Sequence, residues 1–432
     1  MKNPFRSNRK ADARRDASDE EQNFLRRVGR YFSAEPQKEK VLRPEDFNAA
    51  GDVYYATVSS WYKVAQRILW LVFVFFVVIS ILVNRQEITY DNFFYLMKDF
   101  SSAADAGKTQ YETLSYESDS RQQFVLYRGG VASVSPSKLS IFTATGRRTL
   151  NTTSSFSSPY AVSSDKYVLV YDTSGTTVSL YNSFARVYTE TLEYPVTDAC
   201  LGEDGSFAIV TRSADSRSVI CVYDKSFHKD AELSADYYVF DIALQQEQNR
   251  LAFLSYEIGN GTGQTVLSVR QLSTMKEEYR LTWDGEFPLG CVFLEKDRFA
   301  VVTDSCVRIL TDEFEERESG DEYSGGTVTG YSLSDEGVAV SATMNFGTRV
   351  VAFDKSGNLL YNDLVDFTVS DIAVYDSYVF LQTERGVTRI KTGKNSSVEQ
   401  LESGSGKLLI YNDQTALVCG ESKAEYLIFR GE

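Results

Sequence analysis

Eight short apolar segments recur through the chain, and their starting points lie 36 to 48 residues apart. Each segment is four residues long and most of them follow a polar turn. A near-constant period of about forty residues indicates a repeat fold with one supersecondary unit per period. The segments are 131–134, 167–170, 207–210, 251–254, 299–302, 338–341, 378–381 and 416–419.

The rest of each repeat predicts three further strands around this apolar segment. A second apolar segment follows (178–181 is one example), then a turn such as 354–357, then an alternating stretch such as 186–193. A strand that is apolar on both faces is packed on both sides, whereas an alternating strand has one solvated face. The unit is therefore a four-stranded antiparallel sheet with its fourth strand at the rim. Sheets of this kind arranged radially form a β-propeller.

The two ends of the repeat region predict how the ring closes. The last repeat stops after three strands, while 110–116, just before the first repeat, is similar to the closing strand at 188–194. We expect the N-terminal strand to complete the C-terminal blade. The predicted fold is all-β, with eight four-stranded blades, or seven if one repeat is degenerate. The predicted closure residues are Tyr111, Leu114, Tyr116, Tyr426 and Ile428.

A single apolar segment before the repeats predicts a transmembrane helix. Residues 68–83 contain one polar side chain, Ser80, and the segment 64–83 is twenty residues long. At about 1.5 Å per residue this helix matches the roughly 30 Å hydrocarbon core of a bilayer. Aromatic and arginine side chains near both ends fit the membrane–water interfaces. The predicted interface residues are Trp61, Tyr62, Arg67, Trp70 and Arg85.

Charge divides the chain at this segment. Residues 1–67 contain 14 Lys and Arg and 10 Asp and Glu, whereas the whole chain has a net charge of −15. Because basic residues favour the cytoplasmic side, we expect residues 1–63 to be a cytoplasmic, mostly disordered tail. Residues 64–83 then form the transmembrane helix, 84–108 a juxtamembrane helix and linker, and 109–432 an extracytoplasmic propeller. The acidic propeller disfavours nucleic acid as a partner.

Two blade segments carry a resemblance to known propellers. The segments 201–210 and 350–357 resemble the blade signatures of WD40-like and quinoprotein-like propellers. The whole layout, with its charged tail, single span and propeller, resembles an uncharacterised family of bacterial single-pass membrane proteins of unknown function. That resemblance implies an architecture and no activity. Trp283 is the only tryptophan in the repeats, which disfavours a tryptophan-walled quinone site.

The residues available for chemistry are few. His228 is the only histidine and lies in a polar turn, and the five cysteines form no C-x-x-C pair, so we expect free, buried thiols. The acidic run 312–322 lacks the ordered spacing of a calcium loop and is interpreted as a solvated outer strand. No combination of nucleophile, base and orienting group stands out. We therefore predict no catalytic residues, no metal and no cofactor.

Two classes of function fit these features. The first is a membrane-anchored, non-catalytic binding or scaffold protein with a protein partner in the cell envelope. The second is an enzyme that acts on envelope glycans or peptides through carboxylates, Tyr and Arg in the propeller channel. Several channel carboxyls with raised pKa values would favour the enzyme, whereas a channel of Ser, Thr and small apolar residues would favour binding.

Overall fold

The structure, a computed structural model, describes residues 50–83, 113–119, 121–173, 175–259, 261–295, 298–320, 323–393 and 396–430. The chain divides into two units, residues 1–92 and 93–432. Arg85, Tyr111 and the predicted juxtamembrane helix lie outside the described residues.

The described part of the first unit is a helix, α1 (Ala50–Val83), of 34 residues. It begins at Ala50, so residues 50–63, which the sequence assigns to the tail, belong to the same helix as 64–83. Tyr62, Arg67 and Trp70 are exposed, as are the apolar side chains of 71–76, and Trp61 also lies in this helix. Among the described residues, no helix combines the length and the apolarity needed to cross a membrane.

The second unit consists of eight four-stranded antiparallel sheets in its described residues. Seven sheets are built from four strands that are consecutive in the chain, and the eighth joins β1 (Leu114–Ser115) to the last three strands. The sheets are called blades 1 to 8 in chain order. This confirms the prediction of eight blades and excludes seven.

Blades 1 to 4 occupy the first half of the unit. Their strands are β2 (Gln123–Tyr127), β3 (Gly130–Val134), β4 (Lys138–Phe142), β5 (Arg148–Thr153), β6 (Pro159–Ser163), β7 (Val168–Asp172), β8 (Thr177–Tyr181), β9 (Arg186–Thr191), β10 (Val196–Leu201), β11 (Phe207–Thr211), β12 (Ser218–Tyr223), β13 (Lys229–Ala235), β14 (Tyr238–Gln245), β15 (Arg250–Gly259), β16 (Thr262–Gln271) and β17 (Glu277–Asp284).

Blades 5 to 8 occupy the second half. Their strands are β18 (Pro288–Leu294), β19 (Arg298–Thr303), β20 (Val307–Leu310), β21 (Glu316–Gly320), β22 (Thr327–Ser334), β23 (Gly337–Met344), β24 (Gly347–Asp354), β25 (Leu359–Val365), β26 (Asp371–Tyr375), β27 (Tyr378–Thr383), β28 (Gly386–Lys391), β29 (Ser397–Leu401), β30 (Lys407–Asn412), β31 (Thr415–Cys419) and β32 (Lys423–Ile428), with β1 completing blade 8.

Strand order within the blades defines two faces of the ring. Because the strands alternate in direction, the connection between the second and third strands lies at the same face as the connection to the next blade. We call this the upper face, and the face with the other two connections the lower face. The first strands contact one another all the way round, from blade 1 to blade 8 and back to blade 1, so they line the centre.

Burial follows strand position as the sequence predicts. All residues of β7 and β11, second strands, are buried, whereas β9, a fourth strand, alternates between exposed and half-buried residues. The acidic run contributes β21, the outer strand of blade 5, which confirms its interpretation as a solvated strand. Apolar residues on both faces of the inner strands are required because each blade packs against two neighbours.

The core lies between the blades. Within the described residues, the buried apolar side chains form eight clusters, one at each junction between consecutive blades. The cluster between blades 8 and 1 contains Leu114, Phe124, Val131, Phe142 and Leu417, together with two small residues of blade 8. A continuous core of this kind leaves no blade with an uncovered face, so the ring is closed.

The N-terminal strand closes the ring, as predicted. Leu114 pairs with Ala424 and is buried, and the Tyr116 hydroxyl donates a hydrogen bond to the Gly420 carbonyl oxygen at 2.7 Å. Tyr426 packs against the same cluster. Ile428 lies in β32 beyond the two residues that pair with β1, and its side chain is exposed.

The predicted turns owe their shape to aspartate. Asp224 and Asp354 each accept hydrogen bonds from backbone N–H groups two and four residues later, at 2.8–2.9 Å. The turn after Asp354 ends at Gly357, where φ is +73° and a Cβ atom would lie 2.4 Å from Ile309 Cγ2. Both the left-handed backbone and the close approach require glycine here.

Candidate interaction surface

Four first strands share an irregularity near the upper face. The pairing of β10, β14, β18 and β22 with the neighbouring strand shifts register by one residue, which is a β-bulge. A bulge re-aims the side chain that follows it. The residues at this equivalent position are Asp198, Asp241, Gly290 and Gly330. Blades 3 and 4 therefore place carboxyls at the upper end of the centre, and blades 5 and 6 place none.

The two carboxyls connect four blades, 2 to 5. Asp198 accepts a hydrogen bond from the Ile242 N–H of blade 4 at 3.0 Å, and Asp241 accepts one from the Cys291 N–H of blade 5 at 2.6 Å. The Tyr171 hydroxyl donates to Asp198 at 3.2 Å. The side chains of Asp198 and Asp241 are also hydrogen-bonded to each other. Hydrogen bonds to charged or ionisable acceptors are among the stronger ones, so the pair fastens adjacent inner strands.

Burial and mutual repulsion keep a proton on this pair. Loss of solvation, followed by the charge of Asp241, raises the pKa of Asp198 well above its usual range. Loss of solvation raises the pKa of Asp241 to about 6. Two carboxyls at such close range do not both ionise readily, because each ionised form repels the other.

Two half-exposed tyrosines flank the pair. Tyr160 and Tyr331 are 45% and 42% exposed, and in each the pKa is raised first by loss of solvation and then by the aspartate charges. The ring of Tyr160 lies 5.4 Å from that of Tyr171. We call the region around Asp198, Asp241, Tyr160 and Tyr331 the central funnel. It offers hydroxyl and carboxyl groups beside aromatic surface.

An aromatic group lies at the upper face between blades 4 and 5. The rings of Phe240, Tyr256 and Phe287 have centroid separations of 4.9, 5.2 and 6.4 Å. Phe240 and Phe287 are nevertheless 40% and 38% exposed. Phe240 occupies the bulge of β14, which explains why an apolar residue of an inner strand reaches the surface. Aromatic clusters with exposed edges are typical of protein interfaces.

Two long hairpins carry apolar tips on the same face. The hairpins β15–β16 and β23–β24 have strands of ten and eight residues, longer than the five- or six-residue second strands of the other blades. Ile258, near the first tip, is 82% exposed, and Phe346, at the second, is 89% exposed. Exposed apolar side chains of this size at hairpin tips contribute nothing to the core of the ring.

Exposed apolar residues are concentrated on the upper side. Among the described residues of the ring, twelve large apolar or aromatic side chains are exposed, and nine of them lie at the upper face or in the central funnel. These nine are Tyr160, Tyr238, Phe240, Ile258, Phe287, Tyr331, Phe346, Leu364 and Phe367. The other three, toward the lower face, are Leu359, Val398 and Ile428. This asymmetry makes the upper face the candidate interaction surface.

A shallow cavity of about 630 Å³ lies on the same face at the seam between blades 8 and 1. Its walls include Asp119, Gln122, Ser405, Lys407 and Glu421, and they present somewhat more polar than apolar surface. Small-molecule sites of this volume are mostly apolar and enclosed. The cavity is therefore a polar extension of the upper face, without the character of a deep ligand pocket.

The structure also gives the positions of the histidine and cysteines that were considered for catalysis or metal binding. His228 is exposed in the turn before β13, and the five cysteines, four of them buried, form no disulfide with one another. Across the described ranges, no group of three or more His, Cys, Asp and Glu side chains is arranged to hold a metal. Burial raises the pKa of the Cys291 thiol, which disfavours its reactive thiolate form.

The sequence analysis did not predict the residues of the candidate interaction surface. Asp198 and Asp241 each lie in a first strand, two residues after a valine. This pattern does not indicate any particular kind of site. One of the two long hairpins could have been detected in the sequence. The two longest intervals between apolar segments, 44 and 48 residues, lie on either side of the segment that forms the second strand of blade 4. The exposed tip residues Ile258 and Phe346 could not be distinguished from core residues by composition.

The pattern of one sequence family matches residues 105–425. The chain belongs to DUF5711, a family of unknown function. No curated protein matches the chain at a significant level. DUF5711 thus supplies a relationship and no activity, as the resemblance in the repeats implied.

Several solved structures are similar to this DUF5711 chain. They include the computationally designed Ika8 protein (12% identity, 73% of this chain, 98% of that chain, TM-score 0.54). Sqt1 of Saccharomyces cerevisiae is also similar (10% identity, 74% of this chain, 100% of that chain, TM-score 0.51). So is BamB of Moraxella catarrhalis (11% identity, 74% of this chain, 99% of that chain, TM-score 0.49). At these identities the likeness to Ika8 and Sqt1 shows the fold alone, which is the β-propeller predicted from the repeats.

Proposed function

We propose that this chain is a membrane-anchored, non-catalytic binding or scaffold protein that presents the upper face of its propeller to a protein partner outside the cell membrane. The observation that supports this most is the concentration of nine exposed large apolar and aromatic side chains on the upper side. Contiguous apolar surface on a folded domain marks interaction sites. The 14 basic residues within 1–67 favour a cytoplasmic N-terminus.

The anchor is proposed from the sequence and from side-chain exposure. Residues 64–83 contain one charged side chain, Arg67, close to one end. In α1 every described side chain from 62 to 76 is exposed, including eight consecutive apolar residues from Leu69 to Phe76. Apolar surface on all sides of a helix suits a lipid environment.

Charges introduced into the middle of this segment test the anchor. We expect the double substitution Val74→Arg and Phe75→Arg to release the chain from membranes, because each arginine at the centre of a span costs about 3 kcal/mol of insertion free energy. Alkaline extraction of isolated membranes followed by centrifugation measures the release. Tyr62→Arg, at the predicted interface, is the control and should remain in the membrane fraction. Extraction of the unsubstituted chain would refute the anchor.

Site-specific photocrosslinking tests the binding role. A photoreactive residue at Phe346 is expected to capture one recurring protein in intact cells, because its side chain is 89% exposed on the upper face. The matched control is Leu359, which is 43% exposed at the lower face. Capture should disappear when Ile258→Ser is introduced into the chain that carries the photoreactive residue at Phe346. Equal capture from both positions, or none from Phe346, would contradict the proposal.

An enzyme remains the second candidate, and one observation favours it. Asp198 and Asp241 have raised pKa values in the central funnel, and acid–base catalysis uses such pairs. The two side chains are hydrogen-bonded to each other, whereas glycoside hydrolysis uses two carboxyls about 5 Å or more apart. Two of their oxygens also accept backbone N–H groups. Hydrolysis of envelope peptides by the purified chain, abolished by Asp241→Asn, would establish this candidate.

A further inference from the structure

We propose that the partner of the upper face is a protein segment that combines lysine or arginine residues with at least one aromatic or large apolar side chain, and that it lies across blades 4 to 7. This inference rests on the proposed binding function and adds the chemistry of the partner. It is carried by two properties of the same surface, its exposed apolar groups and its surplus of exposed acids.

The apolar part of the surface has a defined extent. Ile258 and Phe346 project from the hairpins of blades 4 and 6, and the exposed edges of Phe240 and Phe287 lie at the junction of blades 4 and 5. Phe367, 39% exposed, continues the surface before blade 7. Anchoring side chains at interfaces bind in such aromatic-lined positions, and a single apolar anchor supplies much of the binding energy.

The charge of the surface indicates which other residues the partner carries. Around these residues, the upper connections and adjoining strand ends of blades 4 to 7 carry five exposed acids in the described part of the chain, and the exposed cations there are Arg385 and Lys407, of which Lys407 pairs with Asp371 at 3.0 Å. The acids are Asp236, Asp284, Asp366, Glu384 and Glu402. The nearby Arg217 stacks 5.2 Å from the Tyr238 ring, and Arg280 pairs with Glu257 at 2.8 Å. The field above this surface is therefore negative and attracts cations.

The same charge argues against the other occupants of an apolar surface. A second copy docked by the same face would bring the two sets of acids together, which costs binding free energy. An anionic lipid surface is repelled for the same reason. A basic segment with an aromatic residue satisfies both properties, because its cations meet the acids and can also stack on the exposed aromatic rings.

Selection of peptides on the folded protein tests the inference. The full-length chain in lipid nanodiscs is used to enrich binders from a random peptide library displayed on phage. We expect the enriched sequences to carry net positive charge and at least one aromatic residue, and their binding to weaken as salt is raised. The double substitution Ile258→Ser and Phe346→Ser should weaken binding at least about tenfold. The matched control, Leu359→Ser with Ile428→Ser, changes two exposed lower-face residues and should leave binding within about twofold.

Three results would overturn the inference: enrichment of neutral or acidic sequences, equal loss in both double variants, or no enrichment. The photocrosslink from Phe346 separates this failure from failure of the binding role. If that position still captures one recurring protein while basic peptides are not enriched, the scaffold function stands and the basic partner is wrong. If neither experiment gives a signal, the scaffold function and the basic partner are both wrong.

Discussion

Replacing Leu114 with aspartate is expected to open the ring and to lower the free energy of unfolding by about 4 kcal/mol or more. Leu114 is 1% exposed and packs with Phe124, Val131, Phe142 and Leu417 at the junction of blades 8 and 1. The substitution removes an apolar side chain from this cluster and buries a carboxyl among apolar side chains. In the described residues its strand pairs with β32 at two positions, and Tyr116 adds two hydrogen bonds to the turn after β31, so the buried cluster is a large part of what fastens this end of blade 8.

Urea unfolding of the full-length chain measures this effect, with hydrogen exchange to locate it. Exchange should rise first in β32 and β2, which face the seam, and last in blade 4 on the opposite side of the ring. Ser115→Asp is the matched control, because the neighbouring residue of the same strand is exposed. If both variants unfold at the same urea concentration, β1 does not close the ring.

The architecture could be predicted because every blade repeats the same burial pattern. An apolar quartet such as 207–210 must be packed on both sides, and only a ring of sheets gives that environment to eight strands at once. Closure was predictable for a related reason, since the last repeat lacked one strand and Leu114 lay in a segment similar to a closing strand. Periodicity therefore determines which residues face the core.

The upper face could not be predicted because it depends on departures from the repeat. Asp198 and Asp241 meet only because bulges in two different blades turn them toward each other, and no sequence spacing encodes that contact. Phe346 has the composition of a core residue and becomes exposed because its hairpin extends past the neighbouring blades. A local sequence pattern predicts which residues form a strand. The contact between the two aspartates and the exposure of Phe346 depend instead on how far separate blades extend toward the upper face.

Replacing Asp241 with asparagine is expected to make the chain more stable at neutral pH and to remove part of its pH dependence. Asparagine can still accept the Cys291 N–H and donate to Asp198, but it cannot ionise. In the folded protein, loss of solvation raises the pKa of Asp241 to about 6, while in the unfolded chain it is near the ordinary value of 3.8. The folded state thus binds the proton more tightly than the unfolded state does.

The sign of the pH effect follows from this difference. Below about pH 4 the carboxyl is protonated in both states, and the stabilisation that comes from its protonated form is fully present. As pH rises from about 4 to about 6, the unfolded state loses its proton first, and the wild-type chain loses stability. One pKa unit corresponds to about 1.4 kcal/mol, so the shift amounts to up to about 3 kcal/mol at pH 7.

Urea unfolding at pH 4 and at pH 7 measures the difference between Asp241→Asn and the wild type. We expect the free energy of unfolding of the variant, relative to that of the wild type, to be about 2 kcal/mol higher at pH 7 than at pH 4. A pH-independent cost of the amide would not change this difference. Asp366→Asn is the control, because it makes the same change from acid to amide at an exposed position in the connection before blade 7. A constant difference for Asp241→Asn, or one that becomes less favourable at pH 7, would show that the funnel carboxyl is not held in its protonated form by burial.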